Sequence, residues 1–297
     1  MPGDAEDLHD VVRADVARAL EEDVGAGDLT AALIDPARRV RARVLAREEA
    51  VICGAPWAEA ALRALDPGVR LTWHVAEGQR CTADQVVLEI EGQARALLSA
   101  ERTALNFLQL LSAVATKTRR YVDAVAGTRA HIVDTRKTLP GLRLAQKYAV
   151  RVGGGTNHRI GLHDAVLIKE NHIAAAGSVT NALRNAQALV AAQAQPLRDQ
   201  ISIQVEVENL AQLREALSAG AVSILLDNFD LDLMRQAVAL NEELTQGEAL
   251  LEASGGVTMD QLRGIASTGV DRISIGKLTK DVKAVDFSLR VLERLGT

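Results

Sequence analysis

This sequence has little of what marks a secreted, membrane-bound or nucleic-acid-binding chain. Only two cysteines, Cys53 and Cys81, occur among 297 residues, in separate segments without metal-ligand spacing. That excludes a disulfide framework and a thiolate zinc site and fits a reducing compartment. Aromatic residues are 2% of the chain, so bases would find few stacking platforms, and the net charge of -5 repels a phosphate backbone. No nucleic-acid partner is expected. No uninterrupted apolar run is long enough to span a bilayer, and Met1 to Val12 carries four acidic residues and no lysine or arginine, the reverse of a secretory signal. No membrane association is expected, and the expected location is the cytoplasm. Lysine is scarce as well: none precedes Lys117, so a lysine at a strand end is more informative than usual.

What is present is apolar material for a large core. At 48% hydrophobic and 297 residues, the chain is expected to form one large and one smaller domain. Leu8, Val11, Val12, Val16, Ala19 and Leu20 fall at helical spacing. Short β-branched segments follow at Val40–Leu45, Arg70–Val75 and Val86–Ile90, separated by glycine turns, and predict a small sheet. Ser99 is expected to cap a long helix running to about Ala126, with Arg102, Asn106 and Gln109 on one face. A polar stripe on an otherwise apolar helix needs a partner or an exposed first turn.

Beyond residue 130 the pattern changes. Six short apolar runs end in polar residues or glycine: into Asp134, Lys169, Glu206, Asp227, Glu252 and, after Arg272 to Ile275, Gly276. Most are followed by helix-like stretches, which is the pattern of a β/α barrel, with an open doubly wound sheet as the alternative. In a barrel, Asp134, Lys169, Glu206, Asp227, Glu252 and Ser274 would converge on the mouth at the carboxyl ends of the strands. About 145 residues are too few for the usual ~250-residue barrel, so a reduced one is expected.

Between the first two of these strands a long connection carries Arg136, Lys137, Arg143, Lys147, Arg151, His158 and Arg159, broken by Gly153-Gly154-Gly155. Guanidinium forks and mobile ammonium groups suit a ligand with several anionic groups. A solvated helix face accounts for Arg143 and Arg151, but less well for residues beside strand ends and glycine turns. Glu206 and Asp227 are candidates to hold Mg²⁺ against a polyphosphate and a sugar, with helix caps or salt-bridge partners as the plainer alternative. Ser254-Gly255-Gly256 and Ser274-Ile275-Gly276 are candidate phosphate turns. Neither a dinucleotide fingerprint nor a P-loop is present, since Gly276-Lys277 is followed by Leu278.

Several motifs in order resemble the quinolinate phosphoribosyltransferase family over essentially the whole chain. They are Glu22-Asp23 through Thr30, Glu101 to Asn106, Asp134 to Thr138, Gly153 to Arg159, Leu167 to His172, Glu206-Val207-Glu208, Leu226-Asp227-Asn228 and Ala253 to Gly256. The resemblance implies an α/β fold, an incomplete β/α barrel with an N-terminal α+β open-sandwich domain. The implied divisions are 1–115 for the sandwich, 116–276 for the barrel and 277–297 for a C-terminal helical segment packing back on the first domain. It implies a homodimer, with further assembly left open, in which Arg102 enters the partner's active site. Carried over by position, Arg102, Arg136, His158, Arg159 and Lys169 bind the carboxylates of quinolinate. Lys137 and Lys169 approach phosphoribosyl pyrophosphate, and Glu206 and Asp227 serve the ribose and Mg²⁺. Ser254, Gly255, Gly256, Ser274 and Gly276 take the 5'-phosphate. Lys137, Lys169, Glu206 and Asp227 are the implied catalytic set. Where the family often has Gly-Ala-Leu-Thr-His, this chain reads Gly276 to Lys280, so Lys280 would replace a histidine donor.

Three other readings fit parts of the pattern: a paralogue such as the molybdenum-locus proteins, a Schiff-base lyase using Lys169, and a non-catalytic anion-binding protein.

Overall fold

The computed structural model describes residues 5–295. Residues 1–4, at the start of the expected first domain, and 296–297, at the end of the expected C-terminal helix, lie outside the described residues. In chain order the first part contains α1 (Ala5–Val24), β1 (Arg39–Ala46), β2 (Ala50–Val51), α2 (Ala55–Leu65), β3 (Arg70–Trp73), β4 (Arg80–Cys81), β5 (Val86–Gln93) and α3 (Ala94–Ala124). Then come β6 (His131–Val133), α4 (Arg143–Val152), β7 (Ala165–Ile168), α5 (Glu170–Ala176), α6 (Val179–Ala191), α7 (Leu197–Gln200), β8 (Ser202–Val207) and α8 (Leu210–Ser218). The last part holds β9 (Ser223–Asp227), α9 (Leu231–Thr245), β10 (Leu250–Ser254), α10 (Met259–Ala266), β11 (Arg272–Ser274), α11 (Lys277–Lys280) and β12 (Phe287–Leu295). Among the described residues no helix is long and apolar enough to cross a membrane.

The chain divides into two compact units. The first comprises residues 1–119, 138–154 and 278–297, and the second residues 120–137 and 155–277. In the first, an antiparallel sheet of order β12-β1-β5-β3 is built on alternation: Val40, Ala42, Val44 and Ala46 point inward, with Arg41, Arg43 and Leu45 between them. On the outer face Arg43 meets Glu89 at 2.8 Å across the β1–β5 register. Ala58 and Leu62 of α2 and Ala104, Leu105 and Leu108 of α3 face Val44, Leu88, Ile90 and Leu289 of the sheet, closing one side of an open sandwich. A second cluster centres on Trp57, fully buried against Phe107 and Tyr148, with its indole N–H donated to Asp15 Oδ2 at 3.0 Å.

Two expectations fail here. Ser99 does not cap α3, which begins five residues earlier at Ala94; its hydroxyl instead donates to Asp28 Oδ2 at 2.8 Å. The segment 277–297 is not helical beyond α11, because β12 pairs antiparallel with the whole length of β1.

The second unit is a six-stranded parallel sheet of order β6-β11-β10-β9-β8-β7, with each of the six expected runs forming a strand. This is an incomplete β/α barrel. Its two edge strands, β6 and β7, are consecutive in sequence, and the chain between them passes through the first unit at residues 138–154. On its return, Thr156 forms a parallel bridge with Val133, donating its N–H to Ile132 O at 2.8 Å, so a short segment continues the sheet beside β6.

Candidate active site

Strand register sorts the second unit's residues onto two faces. One face carries Val205, Val207, Ile224, Leu226, Leu251, Ala253 and Ile273, all buried and apolar. The other face is where the polar residues fall. Glu206 pairs with Leu225, Leu225 with Glu252 and Glu252 with Arg272, while Asp227 pairs with Ser254 one step further along. Ile168 pairs with Val205, which brings the next residue, Lys169, level with Glu206. Laterally paired residues of parallel strands share a face. Lys169 and Glu206 therefore stand level with each other, and Asp227 and Ser254 lie on the same face two residues further along, all toward the carboxyl ends of β7 to β10.

The closest contact in this row is an ion pair, Lys169 Nζ to Glu206 Oε2 at 2.9 Å. Lys169 is placed by its own motif, since its backbone N–H donates to His172 Nδ1 at 2.9 Å just as α5 begins. Asp227 ends β9, accepting from the side-chain amide of Asn228 at 2.9 Å. Beside it, Gly255 has φ +113°, a conformation that favours glycine, and a Cβ there would press on the Asn228 side chain. Gly255 and Gly256 leave an exposed turn at the end of β10. Gly276 has a comparable role at the end of β11, where a Cβ would come within 2.9 Å of Lys137 Cδ. The absent side chain lets the Lys137 stem lie across the strand end.

The long connection supplies the cations. Asp134, fully buried, accepts from His158 N at 2.8 Å and from Asn157 Nδ2 at 2.6 Å, fixing the returning chain against the end of β6. Arg159 Nη1 donates to Ala165 O at 3.2 Å. Burial and then the Arg136 cation lower the proton affinity of Arg159, with Asp164 partly offsetting them. An arginine stays charged regardless, so Arg159 keeps its charge with the Arg136 cation and the Asp164 carboxylate both acting on it. In Asp164, burial acts to raise the carboxyl, but N–H donors from Ile160 and Gly161 outweigh it and hold the group below the usual carboxylate range.

The other expected residues differ in their surroundings. Asp134 and Glu252 are buried inside the unit, at 0% and 1% exposure, rather than presented at the opening. Ser274 is buried too, its hydroxyl reaching Ala253 O at 3.4 Å. His158 has both ring nitrogens engaged internally, Nδ1 with Arg159 N and Nε2 with Gln204 Oε1. Arg102 and Lys280 belong to the first unit and are both exposed. Sequence reasoning missed His172 and Gln204; the signal for Gln204 was its place two residues before Glu206, hence on the same strand face.

This geometry can be set beside known proteins. A family model described as quinolinate phosphoribosyl transferase, C-terminal domain, matches residues 114–290, and the N-terminal domain model of the same family matches residues 28–112. The chain belongs to the quinolinate phosphoribosyltransferase family. It is 42% identical to a probable nicotinate-nucleotide pyrophosphorylase (carboxylating) of Bacillus subtilis, over 91% of this chain and 90% of that protein. It is 43% identical to the nicotinate-nucleotide pyrophosphorylase (carboxylating) of Mycobacterium leprae, over 94% and 97%. The solved nicotinate-nucleotide pyrophosphorylase of Francisella tularensis superposes with a TM-score of 0.88 at 42% identity, covering 96% of this chain and 97% of that one.

Proposed function

We propose that this chain transfers the phosphoribosyl group of phosphoribosyl pyrophosphate to quinolinate, releasing pyrophosphate and CO₂ and giving nicotinate mononucleotide in de novo NAD biosynthesis. The observation that supports the proposal is that one compact unit holds Arg136, Arg159, Lys169, Glu206 and Asp227, with Lys169 paired to Glu206 at 2.9 Å. Arg136 and Arg159 grip the two carboxylates as charge-assisted forks, holding the pyridine nitrogen toward the sugar. The nitrogen lone pair forms the new bond to the anomeric carbon as the bond to pyrophosphate breaks. Lys137 and Lys169 stabilise negative charge on the departing group, while Glu206 and Asp227 act on the positive charge growing on the ribose. The ribosylated nitrogen is cationic, so the electron pair left when the adjacent carboxylate departs as CO₂ is stabilised without an organic cofactor; a proton then takes its place on the ring. Ser254, Gly255, Gly256, Ser274, Gly276 and Lys280 complete the proposal as 5'-phosphate contacts.

Mg²⁺ belongs to this reading. Among the described residues no three His, Cys, Asp or Glu side chains gather into a metal group. Mg²⁺ commonly takes only one or two carboxylates and fills its shell with water and substrate phosphate. Glu206 and Asp227, both hard oxygen donors, fit that habit and would hold it. When bound, it neutralises charge on the diphosphate.

The decisive experiment incubates the protein with quinolinate, phosphoribosyl pyrophosphate and Mg²⁺ and measures CO₂ and pyrophosphate together. Equimolar release of both is expected, and abolition by chelator; pyrophosphate without CO₂ would sink the reaction.

The proposal extends to a cytoplasmic homodimer in which Arg102 enters the partner's site. What supports it is that Arg102 and Asn106, one turn apart, are exposed on a helix whose neighbouring residues are buried. Mixing inactive Arg102→Ala and Lys169→Ala chains should restore roughly a quarter of wild-type activity, since half the random dimers carry one intact site. No recovery on mixing would show that each site is built from one chain.

A further inference from the structure

A chain of hydrogen bonds runs through the second unit in one direction. The backbone N–H of Arg159 donates to His158 Nδ1 at 2.7 Å, His158 Nε2 meets Gln204 Oε1 at 2.9 Å, and Gln204 Nε2 donates to Glu252 Oε2 at 3.0 Å. Its two ends have fixed polarity, because a backbone N–H only donates and an ionised carboxylate only accepts. Read from Arg159, Nδ1 carries a lone pair, so the neutral ring holds its proton on Nε2. Read from Glu252, the carboxylate turns the Gln204 NH₂ toward itself and the amide oxygen toward the ring, which again requires a proton on Nε2. Both ends specify the same tautomer.

Glu252 and Gln204 are 1% and 6% exposed. The second carboxylate oxygen, Glu252 Oε1, accepts no hydrogen bond among the described residues and lies 3.8 Å from His158 Nε2. A bare buried carboxylate oxygen is destabilising. A neutral amide in its place would lose the negative charge and bring a buried NH₂ group without a partner, and the direction of the chain would then be specified from the Arg159 end alone. An acceptor-only group at this end specifies the same direction as the donor-only N–H of Arg159 at the other, and aligned bonds of this kind reinforce one another.

We infer that Glu252 and Gln204 are positioning residues: they hold His158 as the Nε2–H tautomer and, through Nδ1, hold the main chain of Arg159 in the orientation its guanidinium needs. The other end of Arg159 is tied to Ala165 O at 3.2 Å, so the residue is anchored at both ends before any anion arrives. His158 then acts on the anion through Arg159, since both of its nitrogens already have partners in the protein. The inference deepens the proposed reaction and rests on it for the identity of the anion.

Two measurements test it. In the ligand-free wild-type protein, long-range proton–nitrogen NMR of His158 should show Nδ1 without a proton and Nε2 with one in the neutral ring; a proton on Nδ1 overturns the inference. In steady-state kinetics, Glu252→Gln should raise KM for quinolinate roughly tenfold, the scale typical of outer partners to a ligating group, with kcat and KM for phosphoribosyl pyrophosphate little changed. An unchanged quinolinate KM, or an equal rise in both KM values, overturns it. If that variant fails to fold, the wild-type tautomer decides the matter. A wild type that forms no nicotinate mononucleotide would sink the proposed reaction, while the tautomer, read without substrate, would still decide the hydrogen-bond chain.

Discussion

The two units handle buried acidity in opposite ways. In the first, Glu77 accepts from Gly54 N at 2.8 Å and Ala55 N at 3.1 Å, so its charge is answered by the first amides of α2. Burial, and then this carboxylate, push the Cys53 thiol and the Tyr148 phenol well above their ordinary values and keep both protonated. Charge there serves packing. In the second unit, two strand-face carboxylates are met by side chains instead: Glu206 by Lys169 at 2.9 Å and Glu252 by the histidine-linked amide of Gln204 at 3.0 Å. A carboxylate that caps a helix stabilises the fold, whereas a part-exposed one near a strand end, such as Glu206, is open to a ligand.

Replacing residues from each unit should break this comparison in different ways. The largest effect on stability is expected from Trp57→Ala, which removes the centre of the first core and should destabilise the protein by about 3–5 kcal/mol, read by denaturant unfolding. Lys169→Ala should leave the melting curve close to wild type but lower kcat/KM by about 100- to 1,000-fold, the scale of one lost electrostatic contact to a transition state. If Lys169→Ala instead melts like Trp57→Ala, the lysine is structural. Next, Arg159→Ala should raise KM for quinolinate by about 100-fold, on the scale of a lost charge-assisted fork, with far less effect on phosphoribosyl pyrophosphate. Equal effects on both substrates would remove the carboxylate assignment.

The smallest effects are in the pH limbs, and they have opposite signs. Cys53 has its native value raised, so its contribution is fully present below the unfolded thiol value, about 8.5, and is lost as pH climbs toward the native one. Asp164 has its native value depressed, so its contribution is present above the unfolded carboxyl value, about 3.9, and is lost as pH falls through the native one. Cys53→Ala should flatten the alkaline limb alone and Asp164→Asn the acid limb alone, as measured by thermal unfolding across pH.

The sequence reveals the second unit's strands because each short apolar run ends abruptly at a charged residue or glycine, although Glu206, Asp227 and Glu252 prove to lie within their strands. It reveals Lys169, Glu206 and Asp227 because a residue following a buried run has nowhere else to go. Two elements escape it for reasons of distance. Phe287 to Leu295 has locally ambiguous spacing, and only pairing with Arg39 to Ala46, far away in the chain, makes it a strand. Ser99 looks like a cap in isolation, yet its hydroxyl is taken by Asp28, 71 residues away, while helix-forming Ala94 to Leu98 extend α3 backward. The Gln204–Glu252 contact is hidden because a run that reads as apolar conceals one polar residue whose partner is two strands across.

The interruption of the barrel between β6 and β7 has a thermodynamic consequence. The strands on either side of the gap are joined by a detour that leaves through Arg136 and Lys137 and re-enters through His158 and Arg159. A dianion held by both ends of that detour would act as a removable cross-link, closing a loop that the backbone itself leaves open. Substrate would then do for this seam what ladder hydrogen bonds do elsewhere in the sheet, so amide exchange in His131–Val133 and Ala165–Ile168 should slow when the diacid is bound.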